Sequence, residues 1–515
     1  MGSIPTEGAK FTLIISSNRT LRLKKKAAKS KPSISVVDKF LKDKKSLVMG
    51  FGLLGGGLAT TKWLVKHGAK ITVTDLKNKK QLEPTIKELG HFAKKIKFVL
   101  GKHQKKDFIK NDLIIVNPAV PKESSFLVLA KKHQKDIQNE ASLFFRFCKN
   151  PIIAITGTRG KTTTTTWTHH FLKAQHPKAV LTGNSSDNPM LNALDKLDGK
   201  SPVSVELSSW HLEMLPAGKK GPSVAIITNI YPDHLNRYRN IKEYAQAKAN
   251  IFLTQTPTRP LVLNADNEWT KFFLKLAPKN KKVYLFSLKR LPKNTKGLFY
   301  YRNFIYFQNE SGSQKVANAK KFLEEKGEHN LSNLLSAILG AHLAGIPLNL
   351  LAKKFSSLPQ VPFRQEIIHK NKKLIVINDT TATTPEACIA AVNRFAKQSL
   401  NFILISGGTD KKLNFSGWAR VIKKSVRPAN LFLLNGSATQ KIVKELKKVR
   451  YFKNNLSLYP NLKTAVKAAL EKTLLSKQKS VILFSPAGTS FELFKNEFDR
   501  GRQFNQFIKS SLRRR

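Results

Sequence analysis

Residues 156–162 read Thr-Gly-Thr-Arg-Gly-Lys-Thr, and their side chains suggest a definite chemistry. An apolar run, Ile152 to Ile155, leads in, and a helical pattern leads out. A strand, a Gly-rich turn and a helix start in that order form an anion cradle. Glycines let the backbone come close, and the unpaired N–H groups of a helix start point at a phosphate. Gly157, Thr158, Arg159 and Gly160 would form the cradle. Lys161 would place a positive charge on the outer phosphates, and the Thr162 hydroxyl would bind magnesium. The loop is shorter than the standard P-loop, so alone it also fits a βα turn beside a surface lysine.

Two further groups supply what an ATP site lacks. An apolar stretch from Val203 to Val205 ends at Glu206, and another from Val224 runs toward Asp233 and His234. In a parallel α/β sheet, ligands gather at the carboxyl ends of strands. The glycine loop, Glu206 and His234 all sit at such ends. A carboxylate and an imidazole beside a phosphate loop suit magnesium. Singly, Glu206 also reads as a helix N-cap and His234 as a turn residue. Lys248 lies on a helical stretch from Ile241 to Phe252, where spacing alone reads it as one exposed lysine among many.

The elements that must position these groups form a three-domain α/β chain. Ser46 to Met49 is a buried strand opening into Gly50-Phe51-Gly52-Leu53-Leu54-Gly55. The next strand ends at Asp75, 20 residues after Gly55, as in a Rossmann nucleotide-binding unit. Alone this suggests an NAD-dependent oxidoreductase, but that reading leaves the 156–162 loop, Glu206 and His234 idle. A prolyl connector, Gly345 to Pro362, precedes four apolar strands, the first ending at Asp379, the second at Gly407–Lys411 and the last at Ser485–Ser490. The expected boundaries are a flexible basic extension over 1–45, a Rossmann-like domain over 46–149, a central P-loop-type ATPase domain with a mainly parallel sheet over 150–360, and a Rossmann-like α/β domain over 361–515.

Composition bounds the partners. Lys and Arg number 91 against 33 Asp and Glu, a net charge of +58. The lysines are spread along the whole chain, which favours solvated basic faces over a nucleic-acid stripe, and the field steers anionic substrates inward. Two cysteines and no long apolar run fit a cytoplasmic protein without a membrane span.

Thr156 to Thr163, Glu206-Leu207-Ser208-Ser209, Asp233-His234, Ala247-Lys248 and Glu328-His329-Asn330-Leu331-Ser332-Asn333 together resemble the Mur ligases, ATP-dependent amide ligases of peptidoglycan precursor synthesis. The resemblance implies that residues 157–163 bind ATP with Asn330, Asn333, Arg364 and Asp379. It implies that Thr162, Glu206, His234 and a carbamylated Lys248 hold magnesium, and that Lys161 takes part in catalysis. It reassigns the N-terminal fingerprint to a UDP-sugar, with Leu53, Leu54, Asp75, Lys77, Asn184 and Arg237 at its contacts. Asn378-Asp379 before Ala382-Thr383, and Phe494-Lys495-Asn496 before Arg500-Gly501, resemble the branch that adds D-glutamate to UDP-N-acetylmuramoyl-L-alanine. In that branch Thr383, Lys411 and Ser490 fall at the D-glutamate contacts. The expected protein is a cytoplasmic monomer that needs neither membrane nor nucleic acid. Thr381, Arg159 and Glu497 depart from the family pattern, and another amino-acid specificity is the competing reading.

Overall fold

The computed structural model describes residues 35–53, 55–184, 188–215, 220–235, 237–399, 401–410, 413–453, 456–490 and 492–513. Three sheets follow one another along the chain. The first is all parallel, in the order Ile96–Leu100, Lys70–Asp75, Lys45–Met49, Leu113–Val116, Asp136–Gln138. Helices on both faces explain why a strand such as Leu113-Ile114-Ile115-Val116 is apolar throughout and wholly buried.

The second sheet has nine strands. Its parallel part runs Val180–Gly183, Val203–Glu206, Ile152–Thr156, Val224–Ile227, Leu261–Asn264, Val283–Ser287, Gly297–Tyr301. Two antiparallel strands, Phe304–Asn309 and Gly312–Asn318, extend the edge. The glycine-loop strand is central, flanked by the strand ending in Glu206 and by the strand leading to His234. The third sheet has six strands, in the order Glu366–Lys370, Leu374–Asn378, Ser480–Phe484, Asn401–Ser406, Leu431–Leu434, Ser457–Tyr459, with only the first antiparallel.

Several details differ from the sequence reading. Val36–Leu41 forms a helix capped by Ser35, with Leu41 wholly buried, so residues 36–45 belong to the packed body instead of a flexible extension. The prolyl connector contains a helix, Leu348–Lys354, started by Pro347 at its N-cap. The third sheet carries two edge strands, Glu366–Lys370 and Ser457–Tyr459, that lack a continuous apolar run because they are only partly covered.

One buried apolar cluster runs through both the first and central units. It joins Leu64, Leu143 and Phe144 to Leu191, Leu212 and Phe252. The clusters of the third sheet draw only on residues 367 and beyond.

Candidate active site

The glycine loop has the backbone geometry that an anion cradle requires. Gly157 has φ +147°, and a Cβ there would lie 1.9 Å from Thr228 Oγ1; Gly160 has φ +81°, and a Cβ would lie 2.1 Å from Asn333 Oδ1. Only glycine fits either position. The loop is braced from the next strand: the Arg159 N–H donates to Asn229 Oδ1 at 2.9 Å, and Thr228 Oγ1 donates to the Arg159 carbonyl at 2.7 Å. The helix Lys161–Leu172 begins at Gly160 despite a run of threonines. Tertiary contacts offset their poor propensity: Thr163, Thr164 and Thr165 are buried, and the Thr164 hydroxyl lies 3.2 Å from that of Ser336.

Lys248 is not a surface lysine. It is 1% exposed, and Nζ donates at 3.4 Å to Thr156 Oγ1, which itself donates to the Leu207 carbonyl. Burial above all, then the neighbouring charge of Lys161, pushes its pKa well below the ordinary lysine range; Asp233 and Glu206 pull weakly the other way. Lys161 is also shifted down by burial, and its ammonium donates to the Thr158 carbonyl at 3.0 Å. Glu206, 8% exposed, accepts from Asn184 Nδ2 at 3.4 Å. His234 has φ +54°, and its ring packs edge-on against Trp210 and tilted against Tyr244.

A cavity of about 320 Å³ joins these groups to the first domain. Lys161, His234 and Lys248 line one end, with Asn184 on its wall, and Gly50, Gly55 and Asn117 line the other. Asp75 is buried and braces the fingerprint, accepting from the Gly52 N–H and the Lys77 N–H, both at 2.9 Å. Leu53 and Lys77 are exposed. Leu54 lies outside the described residues.

The third domain reaches the loop from the opposite side. Arg364 Nη2 donates to Thr162 Oγ1 at 3.2 Å. Asp379 is buried and accepts from the Gln365 N–H at 3.0 Å and the Ser485 hydroxyl at 2.8 Å; burial outweighs both bonds and raises its pKa to about 7. Asn333 sits against Gly160, whereas Asn330 turns Nδ2 back to the Lys326 carbonyl at 2.9 Å. Thr383 is half-buried one turn from Asp379. Ser490 is 2% exposed, with Oγ buried and lacking a hydrogen-bond partner among the described residues. Lys411 lies outside them.

Arg237 is placed differently from the sequence expectation. Nε and Nη2 hold the Glu213 carboxylate at 3.1 and 2.6 Å, and Nη1 donates to the Pro118 carbonyl at 2.8 Å. It is not among the residues lining the cavity; its guanidinium bonds Glu213, Pro118 and Val120 instead.

Sequence reasoning missed two residues. Glu140, half-buried, lines the cavity, and burial raises its pKa to about 7. Arg500, wholly buried, donates to Thr380 Oγ1 and to the Thr380, Gly488 and Thr489 carbonyls. It ties the loop of Asp379 to the loop of Ser490. No periodicity marks a single charged residue as buried; Arg500-Gly501 entered the sequence reading only as part of the resembling motif, with no role assigned, and in the structure a Cβ on Gly501 would meet Phe363 at 2.5 Å.

Comparison with known proteins agrees with this geometry. The Mur ligase middle domain matches residues 155–341, and the Mur ligase MurD-like N-terminal domain matches residues 44–138. The UDP-N-acetylmuramoylalanine–D-glutamate ligase of Borreliella afzelii is 38% identical over 477 residues, 91% of this chain and 98% of its own. That of Roseiflexus is 33% identical over 473 residues, covering 91% and 99%. Among solved structures, the UDP-N-acetylmuramate-alanine ligase MurC of Thermotoga maritima superposes with a TM-score of 0.55 at 20% identity over 91% of this chain and 99% of its own, a likeness of fold. The MurF ligase of Thermotoga maritima in complex with ADP superposes at 0.50 with 15% identity, over 93% and 97%. With the phosphate loop, Glu206 and His234 at adjoining strand ends, Lys248 reaching them from the helix Ile241–Leu253, and relatives matching along nine-tenths of its length, the chain belongs to the Mur ligase family.

Proposed function

We propose that the protein joins the alanyl carboxylate of UDP-N-acetylmuramoyl-L-alanine to the amine of D-glutamate, consuming ATP and releasing ADP and phosphate, in peptidoglycan precursor synthesis. The observation that carries this reading is the identity of 33 to 38% to D-glutamate ligases across 91% of the chain.

A carboxylate is a poor electrophile, so its oxygen first attacks the γ-phosphorus of ATP. ADP leaves and an acyl phosphate forms. The free amine of D-glutamate then attacks the acyl carbon, and the tetrahedral intermediate expels phosphate. No covalent bond to the protein is required. The 157–163 loop holds the phosphates with its N–H groups. Lys161 from one side and Arg364 from the other face the charge that develops on the transferring phosphoryl group. Asp379 is a candidate proton acceptor for the incoming ammonium, since burial holds its pKa near 7. Asn184 and the first-domain fingerprint, with Asp75, Leu53 and Lys77, take the nucleotide-sugar; Thr383, Ser490 and Lys411 take D-glutamate.

Among the described residues no three His, Cys, Asp or Glu side chains converge as a metal site. The residues nonetheless fit magnesium once Lys248 is modified. Its amine is held toward the neutral form, and a neutral amine adds to carbon dioxide, loses a proton and becomes a carbamate. Thr162, Glu206, His234 and that carbamate would then hold the ion, which supplies charge neutralisation on the phosphates. The decisive assay is ADP release with UDP-N-acetylmuramoyl-L-alanine and a panel of amino acids. Turnover with D-glutamate is expected; turnover with L-amino acids alone would reject the D-glutamate reading, and none with any would reject the ligase.

A further inference from the structure

We propose that Arg237 is a positioning residue that shapes the nucleotide-sugar site from the central domain, by clamping the turn at residues 117–121 against the first-domain fingerprint. The proposal rests on the ligase reading above for its substrate, and on geometry alone for the clamp.

The side chains of Arg237 and Glu213 are 15% and 9% exposed. Glu213 takes the guanidinium in two hydrogen bonds, at 3.1 and 2.6 Å, and accepts a third from the Tyr238 hydroxyl at 2.5 Å. The guanidinium lies 4.9 Å from the Trp210 ring centroid. Fixed on two sides, it spends its remaining donors across the domain boundary, on the Pro118 carbonyl at 2.8 Å and the Val120 carbonyl at 3.3 Å. A planar fork held at one edge can present the other in only one orientation, which lysine cannot reproduce.

The turn it holds packs directly on the fingerprint. A Cβ on Gly50 would lie 2.9 Å from Asn117 Cβ and 3.2 Å from Val120 Cγ2. Gly50, Asn117, Pro118 and Ala119 line the cavity. Displacing the turn therefore changes the wall of the cavity without touching the phosphate loop. The clamp also shares a loop with His234, whose carbonyl accepts the Arg237 N–H at 2.9 Å.

The test is Arg237→Lys with two readouts. Hydrogen exchange of the full-length protein without substrate should accelerate about tenfold at Ala119 and Val120, whose N–H groups are bonded within the turn, and stay unchanged over residues 157–162. In the assay, KM for UDP-N-acetylmuramoyl-L-alanine should rise about tenfold while KM for ATP stays within twofold. If Arg237→Lys does not fold, Glu213→Gln, which keeps an acceptor but removes the charge, should shift both readouts in the same direction by about threefold. Unchanged exchange in the turn, or KM values for sugar and ATP rising together, would overturn the clamp. Because the exchange readout needs no substrate, wild-type protein that fails to turn over defeats the ligase reading and leaves the clamp to be judged by exchange.

Discussion

The seam between the first and central sheets is built on one buried apolar cluster, with Leu143 and Phe144 packed with Leu191 and Leu212, and polar contacts such as Arg237 to the Pro118 carbonyl cross it as well. The seam between the central and third sheets is crossed by polar side chains at the phosphate loop. Arg364 reaches Thr162 at 3.2 Å, and Arg159 Nη2 lies 3.7 Å from Glu386 Oε2 with both side chains more than half exposed. Buried apolar surface is costly to separate, while exposed ion pairs form and break with little change in free energy. On the proposed function, the first two domains would form one body carrying the nucleotide-sugar and the ATP, on which the third would close. Such closure would exclude water from an acyl phosphate.

The largest effect should come from cutting the apolar seam. Phe144→Ala removes a wholly buried ring and should destabilise the joined body by about 3–5 kcal/mol. Calorimetry should show the transition of the joined body falling while that of the third domain holds. If both fall together, the third domain is not energetically separate. At the other seam, Arg364→Ala should lower kcat by about 10²- to 10³-fold, as losing one preorganised charge at a developing anion does. Its thermal midpoint should not move. A rise in KM for ATP with kcat intact would instead make Arg364 a ground-state binder.

How much of this contrast was legible in the sequence differs by region. The loop at 156–162, Glu206 and His234 were legible because strand ends and glycine spacing are local signals. Lys248 was legible only through resemblance, since its helix offers many lysines and spacing cannot say which is buried. The Arg237 clamp was not legible, because its partners Pro118, Val120 and Glu213 are far off in the chain and are set by the docking of two sheets. The same holds for Arg500 and for Glu140, whose shift comes from burial against a segment about 50 residues further along, where the Leu191 N–H donates to its carboxyl.

Glu140 gives the apolar seam a pH signature. Its carboxyl is raised from an ordinary 4.5 to about 7, burial being the main cause. Between those values the folded chain keeps a proton that the unfolded chain releases, so stability declines as pH rises through the window and is fully restored below pH 4.5. Glu140→Gln has nothing to ionise. It should be more stable than the wild type at pH 8, by at most about 3 kcal/mol, with the gain vanishing at pH 4. Denaturant titrations at both pH values measure this; a gain independent of pH would show that the carboxyl is ionised in the folded protein.

The smallest effect sharpens the comparison most. Arg159 departs from the pattern that the resemblance implies, and its guanidinium points across the seam to Glu386 and over the ring of Tyr231 at 5.8 Å. An exposed pair of this kind contributes about 0.2–1 kcal/mol. A double-mutant cycle on kcat/KM for ATP, with Arg159→Ala, Glu386→Ala and both, should return a coupling energy in that range that shrinks in high salt, since a Debye length of roughly 3 Å at 1 M screens exposed charges. The unfolding free energy should show no coupling, because the pair joins two bodies that unfold separately. Coupling in stability as well would mean the third domain is held shut in the resting protein, and the two seams would differ in strength alone. Coupling in neither would leave Arg364 as the polar contact, among the described residues, through which the third domain acts on the phosphate loop in turnover.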